Sequence, residues 1–510
     1  MPQSKRARYL GIGILLLIIS ASVAAQWFFD QKVTSLLNSK GVQAYQLRYD
    51  ELNTNVFLGN IRLRQVAAGS PDQHIAVQAE SVTLSGLHYW TLLQKENITL
   101  SELHISSPSV TYQPKEKDTS STSQNNTSAQ TITIEQLTIE KGSFVMKDTS
   151  AQRSASLEDI NIAVNDLIYP KKSNNPSLPV DYGSYELTGS DGFYDLSPLE
   201  TITFERIQLN PTEGKLQQFT LRTKYGKKAL SQQLAKEHDH YNLGIKNIVL
   251  TNWDVGTSKD LPYFHLGTLQ LEQPVFDVYR DKLLPDDTSH KKLYNQALRD
   301  LPLALQVDSV RISDGTITYE ERVKRDIEPE SLLFTQLDAT VQNLHSWGEG
   351  EVTAHINAKL MDNGPFRLDW SFDPRNKANT FLVKGELSQF QSASINPFLK
   401  SNLSAEVQGT VQQLYFTISG NELESKGDMK MKYDNFEFTV LKKNRLGVNK
   451  VLTAVVNLFT KDGNKTDEDG FRHGDFEVER KQDKSFFNYL WLNLQEGLVD
   501  TMTGRGKKRD

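Results

Sequence analysis

"ITLSELHISSPSVTYQP", residues 98–114, and "TITIEQLTIEKGSFVMKD", residues 131–148, decide the fold class. Apolar side chains fall on alternate positions in short runs: Ile98 and Leu100, Leu103 and Ile105, Val110 and Tyr112. Ile132 and Ile134, Leu137 and Ile139, then Phe144 and Met146 repeat the pattern, and Ile160, Ile162 and Val164 extend it. A period of two is that of strands with one apolar and one wet face. Ser106-Ser107-Pro108 breaks the first stretch into two strands. Gly, Asn, Asp, Ser and Pro punctuate the rest as β connections require.

The stretch recurs. "FHLGTLQLEQPVFDVY" (264–279) lies over residues 98–113, with Leu266 on Leu100, Leu269 on Leu103, Leu271 on Ile105 and Pro274 on Pro108. "VDSVRISDGTITYEE" (307–321) lies over 134–148, placing Val310 on Leu137, Ile312 on Ile139 and Gly315 on Gly142. "FTQLDATVQNL" (334–344) lies over 157–167. The offsets grow from 166 to 173 to 177, as small insertions produce. Three blocks in one order indicate an internal duplication. The polar stretch 115–130 occupies the place where the second copy has "DKLLPDDTSHKKLYNQALRDLP", which holds a predicted short helix.

The 510-residue chain has no cysteine, which removes disulfides, thiolate metal sites and cysteine nucleophiles. A net charge of -6 offers no basic field for nucleic acid. Mean hydropathy is -0.49, low except in one segment. Residues 10–29, "LGIGILLLIISASVAAQWFF", carry no charge and follow Lys5, Arg6 and Arg8. As a helix they span about 30 Å, one bilayer core. The basic flank keeps the N-terminus cytoplasmic, with Trp27 and Phe29 at the outer interface. A signal peptide cleaved near "SVAAQ" is the rival reading. Both place the body outside the cytoplasm.

The expected organisation is a basic tail (1–8), an anchor (9–29), a first β segment (30–114) opening on a short helix ended by Gly41, and a polar loop (115–130). Then come further strands with a helix at 226–241 (131–260), a second repeat with remaining strands (261–440), and a helical C-terminal module (441–510). In that module, residues 442–460 place Leu452, Val455, Val456 and Phe459 on one helical face, and 484–503 carry Phe486, Leu490 and Trp491. Each helix either lies at a membrane interface or caps the end of the sheet.

The arrangement resembles the AsmA-like family of bacterial envelope proteins. A basic-flanked anchor is followed by "NVFLGNIRLRQV" (55–66) and "HIAVQAESVTLSGLHYWTLLQKENITLSELHISSPSVTY" (74–112), and the chain closes on "KSFFNYLWLNLQEGLVDTM" (484–502). The resemblance implies an elongated, twisted β-groove related to bridge-like lipid-transfer proteins. It implies single-pass residence in the inner membrane with the body in the periplasm, glycerophospholipid movement and support of the outer membrane. It carries no catalytic residues. About 25 strands would give on the order of 120 Å of groove, short for a complete bridge between two membranes.

The groove-lining candidates are Ile98, Leu100, Leu103, Ile105, Val110, Tyr112, Leu137, Ile139, Phe144, Ile160, Ile162, Val164, Leu266, Leu269, Leu271, Val310 and Ile312. Alternation is equally the mark of a packed core, so membrane phospholipids as partners rest on duplication, anchor and resemblance together. A non-enzymatic scaffold engaging other envelope proteins at the C-terminal end is the alternative, and a β-rich hydrolase the third. No cofactor or metal is expected: His238-Asp239-His240 on a helix would point its two imidazoles apart. Asp286-Asp287 and "DEDG" (467–470) read as solvated turns.

Overall fold

A computed structural model describes residues 3–39, 43–87, 97–114, 131–148, 150, 152–169, 180–258, 261–440 and 466–503. Twenty-one strands among them hydrogen-bond into one mixed sheet. In chain order they begin with α1 (Gln3–Leu37), β1 (Glu51–Asn55), β2 (Asn60–Gly69), β3 (Ile75–Ser85), β4 (Asn97–Ser106), β5 (Ser109–Tyr112), β6 (Thr131–Asp148), β7 (Arg153–Tyr169), β8 (Ser184–Asp195) and β9 (Glu200–Leu209). There follow β10 (Glu213–Thr223), α2 (Lys227–Gln233), β11 (Asp239–Ser258), β12 (Leu261–Glu272), β13 (Val275–Asp281), α3 (Tyr294–Arg299), β14 (Ala304–Arg322) and β15 (Ser331–His345). The remainder is β16 (Val352–Leu360), β17 (Gly364–Phe372), β18 (Phe381–Gln391), α4 (Asn396–Asn402), β19 (Ala405–Gly420), β20 (Glu424–Val440), β21 (Arg472–Glu479) and α5 (Phe486–Thr503). The chain divides into two compact units, Met1–Pro198 with Thr203–Pro211, and Leu199–Ile202 with Thr212–Asp510.

In the first unit, β2 and β3 form an antiparallel ladder, and β4 and β5 together fill the next position. Both run parallel to β6, which pairs antiparallel with β7. The break between β4 and β5 is Ser107, at φ 48. Its N–H donates to Glu140 O, and Ser143 N–H donates to Pro108 O. The second unit repeats this internally with β10, β11, β12 plus β13, β14 and β15. Gln273, at φ 50, donates to Ser313 O, and Thr316 N–H donates to Pro274 O. Leu100 faces Ile134 as Leu266 faces Val307, and Leu137 faces Val164 as Val310 faces Val341. The matched proline and glycine touch in both copies. A methyl on Gly142 would meet the Pro108 ring at 3.3 Å, and one on Gly315 the Pro274 ring at 3.2 Å. The equivalence begins earlier than residue 261: Val82 faces Ile105 as Ile248 faces Leu271.

Apolar residues in these strands also recur three apart, which strict alternation would send to opposite faces. Yet Leu250 and Trp253, Leu266 and Leu269, Val307 and Val310, and Val341 and Leu344 share one cluster. The ladders skip one residue between the members of each pair, at Asn252, Gly267, Asp308 and Asn343. Asn252 and Asn343 adopt φ 57 and 54. Asn tolerates this left-handed conformation best among residues with a side chain, after glycine alone. Each skipped residue shifts the strand's phase and returns the next apolar residue to the same face.

Several expected helices differ. The anchor and the short helix are one continuous element, α1, with Phe29 and Val33 buried and Leu37 against Leu63 and Val66. Phe29 therefore faces protein, whereas Trp27 is exposed. Among the described residues no helix is long and apolar enough to cross a membrane. The side chains of residues 10–17 lie outside the described residues. The helix expected at 226–241 stops at Gln233, and Asp239 already opens β11. Gly41, the polar loop 115–130 and the helix 442–460, with Leu452, Val455, Val456 and Phe459, lie outside the described residues.

The largest core of the second unit sits at its C-terminal end. There Val383 and Ile418 have 0% exposure, and Phe486, Tyr489 and Met502 of α5 pack onto them and their neighbours. An ionic clasp joins the segment before α5 to the stretch before α3. Lys484 Nζ contacts Asp286 at 2.9 Å and Glu237 at 3.3 Å, while Lys282 Nζ lies 2.7 Å from Glu237. Burial would raise the Glu237 carboxyl, but the hydrogen bond and charge of Lys282, with the charge of Lys484, hold it below its usual value. Asp287 is also lowered, by hydrogen bonds from Lys236, Lys291 and Ser289. Carboxylates with depressed folded pKa lend stability that is full above the unfolded value, about 4, and is lost as pH falls through the folded values. Hydrogen exchange at residues 480–490, corrected for intrinsic rates, should therefore accelerate below about pH 4. In Glu237→Gln that pH dependence should shrink; an unchanged profile would remove Glu237 from the clasp.

Candidate functional site

Cross-strand register assembles the apolar positions into rows. In the first unit one row runs Leu52, Leu63, Val82, Ile105, Ile139, Ile162, Leu187, one residue per strand position. Its neighbour runs Ile61, Leu84, Leu103, Leu137, Val164, Tyr185. Between them lies Arg62, Thr83, His104, Thr138, Ala163, Glu186, mostly polar and on the opposite side by the pleat. In the second unit a row runs Leu216, Ile248, Leu271, Ile312, Ala339, Ile356, Leu368 and continues to Met429. Where it passes Gly385 the missing side chain admits the ring of Phe416 across the strand.

Burial separates the candidates into two groups. Leu100, Leu266 and Val310 are buried, and Leu266 and Val310 belong to a core cluster with Val307. With 4%, 1% and 7% of their surface exposed, Leu100, Leu266 and Val310 present little to a bound lipid. Ile98, Leu103, Ile105, Val110, Tyr112, Leu137, Ile139, Phe144, Ile160, Ile162, Val164, Leu269, Leu271 and Ile312 are half-buried. Their strands bring all but Ile160, which faces Gly142, onto shared rows that individual alternating runs did not reveal. Phe486 is buried against Trp370 and Phe381, and Leu490 packs on the same core. Of the proposed interface residues on α5, only Trp491 is exposed. The turn at 467–470 closes through Gly470 N–H to Asp467 O, and Asp467 accepts from His473 at 2.7 Å.

The His238-Asp239-His240 run is built differently from a helical pair. His238 Nε2 lies 2.9 Å from Glu200, and the Arg280 guanidinium forks onto both oxygens of Asp239. Burial and then the Asp239 charge push the Tyr241 hydroxyl up to about 12. Tyr319 is raised too, by burial and by Glu321, to which it donates a hydrogen bond. Sequence reasoning missed this cluster because Arg280 and Tyr319 are remote from Asp239 along the chain and join it only through β13 and β14. The acids are paired and the phenols held protonated, an arrangement that rigidifies rather than activates. Among the described residues no group of three or more His, Asp or Glu is placed to hold a metal ion.

Comparison with protein-family models and with curated proteins finds no match for this chain.

Proposed function

We propose that this chain is a membrane-anchored, AsmA-like envelope protein that binds glycerophospholipids along the apolar rows of its sheet and passes them from strand to strand. The observation that carries this reading is the contrast between two stretches of sheet. At the C-terminal end α5 packs on a core in which Val383, Ile418 and Met431 have 0% exposure. On β4, β6 and β7 the same kind of rows leave Ile98, Leu103, Ile105, Leu137, Ile139, Ile162 and Val164 half-exposed. Acyl chains satisfy such a face. Each methylene taken from water contributes about 0.8 kcal/mol, so a two-tailed lipid gains on the order of 20 kcal/mol before its ordering costs. Successive strands offer near-equal contacts, so stepping along the row meets no large barrier and needs no reaction. Net direction then comes from a gradient or a partner. On this reading α1 is the retained inner-membrane anchor and the sheet lies in the periplasm.

The test pairs two measurements. Protein purified in gentle detergent should carry stoichiometric glycerophospholipid by mass spectrometry. A photocrosslinking residue at position 137, on an apolar row, should capture that lipid, whereas one at exposed position 136 should not. Equal labelling at both positions, or lipid-free protein bound to one defined protein partner, would replace lipid carriage by a scaffold role.

A further inference from the structure

The β1–β2 turn presents a feature that lipid binding along the rows does not use. Phe57 and Leu58, at its tip, are 68% and 63% exposed. This exposure is held in place. Asn55 Oδ1 accepts the N–H groups of Phe57 and Leu58 at 3.0 and 3.1 Å. Gly59 follows at φ 63, and Leu87 N–H donates to its carbonyl. A side chain on Gly59 would collide with the Leu87 backbone at 2.7 Å. The chain is thus fixed so that two large apolar groups project into solvent, which a soluble surface does not require.

The turn is bolted to α1. Gln26 Nε2 donates to Thr54 O at 2.9 Å and to Thr54 Oγ1 at 2.7 Å, and Gln26 Oε1 accepts the Val56 N–H at 2.8 Å. Asp30 accepts a hydrogen bond from the Thr54 hydroxyl. With Gln26 turned to the hairpin, Val23, Trp27 and Phe28 are left exposed on the helix. Residues 9–29 and 52–61 contain no Asp, Glu, Lys or Arg, and the charges beside the contact are Asp30, turned to Thr54, and Lys32, whose ammonium lies 5.9 Å from the Phe28 ring. An aqueous protein partner would ordinarily be matched by a polar rim. An uncharged hairpin tip beside exposed Trp27 and Phe28, next in sequence to a 20-residue apolar stretch and with Lys32 at its margin, suits the boundary of a bilayer.

We infer that the β1–β2 turn is a second membrane contact, inserting Phe57 and Leu58 into the outer boundary of the leaflet crossed by α1. This rests on α1 being the membrane anchor. It adds that the first strand of the sheet is fixed at the lipid surface, so a lipid leaving the bilayer meets β1 and β2 without crossing water.

The chain has no cysteine, so single-cysteine variants can be labelled cleanly. Ile19→Cys, Phe57→Cys and Gln78→Cys, each in the full chain, would carry a polarity-sensitive fluorophore. They would be reconstituted in phosphatidylethanolamine–phosphatidylglycerol vesicles with and without nitroxide-bearing lipid. Circular dichroism would confirm an unchanged fold. The expected result is blue-shifted emission and loss of intensity to the nitroxide at positions 19 and 57, and neither at 78, an exposed site on β3. If 19 responds and 57 behaves like 78, the turn is not a membrane contact, while the anchor stands. If 19 and 57 both behave like 78, the anchor reading and this inference fall together.

Discussion

Phe486→Ala should lower the stability of the C-terminal core by about 3–5 kcal/mol, the range for a buried aromatic truncated to a methyl. Phe486 is 6% exposed, stacks on Trp370 with centroids 4.8 Å apart and meets Phe381 edge-on at 5.2 Å. Lining the same spot are Leu293, Tyr294, Asn295 and Phe372, around a small cavity that truncation would enlarge. The next residue supplies the control. Phe487 is 62% exposed, and Phe487→Ala should change stability by no more than about 0.5 kcal/mol. Urea unfolding followed by tryptophan fluorescence distinguishes them through Trp370. Equal effects would mean that α5 does not cover the sheet as described. The consequence reaches function, because loosening α5 exposes apolar rows that are now covered. The variant should bind more acyl-chain probe than the parent if open rows hold lipid.

Arg480→Met should destabilise by about 3–5 kcal/mol, the cost of breaking an enclosed ion pair from one side. The Arg480 side chain has no exposed surface and pairs with Glu422, and its other nitrogen donates to the Lys291 carbonyl. Methionine fills part of the volume but leaves Glu422 with the more exposed His290 and a long contact to Asn379. Adding Glu422→Gln removes the uncompensated charge and should recover part of the loss. A double-mutant cycle by urea unfolding measures the coupling. Additive losses would show that the pair is not coupled. Lys291 N–H also donates to Gln482 O, so amide exchange at 291 should rise in Arg480→Met together with exchange at 480–485.

The duplication could be read residue by residue because it is written in side-chain identity. Pro108 and Pro274 over Gly142 and Gly315 are contact pairs in both copies, and a residue chosen for contact leaves a mark in the sequence. Helix boundaries were less legible. Residues 234–241 have helix-compatible composition, but His238 turns to Glu200 and β11 claims Asp239 for its pairing with Arg280. Burial was least legible of all: Leu100 and Leu103 are alike in type and sit on adjoining positions of one pattern, yet one is buried and the other half-exposed.

The sequence alone determined that this chain forms short amphipathic strands, that they recur as two copies, and that an uncharged segment precedes them. Those are local properties: period, spacing and charge are carried by neighbouring residues. The tertiary structure decided which apolar residues align into rows across strands, which rows α5 covers, and that Gln26 joins the first helix to the first hairpin. These depend on register, on left-handed residues such as Asn252 and Asn343 that shift strand phase, and on partners far apart in the chain. A one-residue change in pairing would send every side chain of a strand to the other face without altering a letter of the sequence.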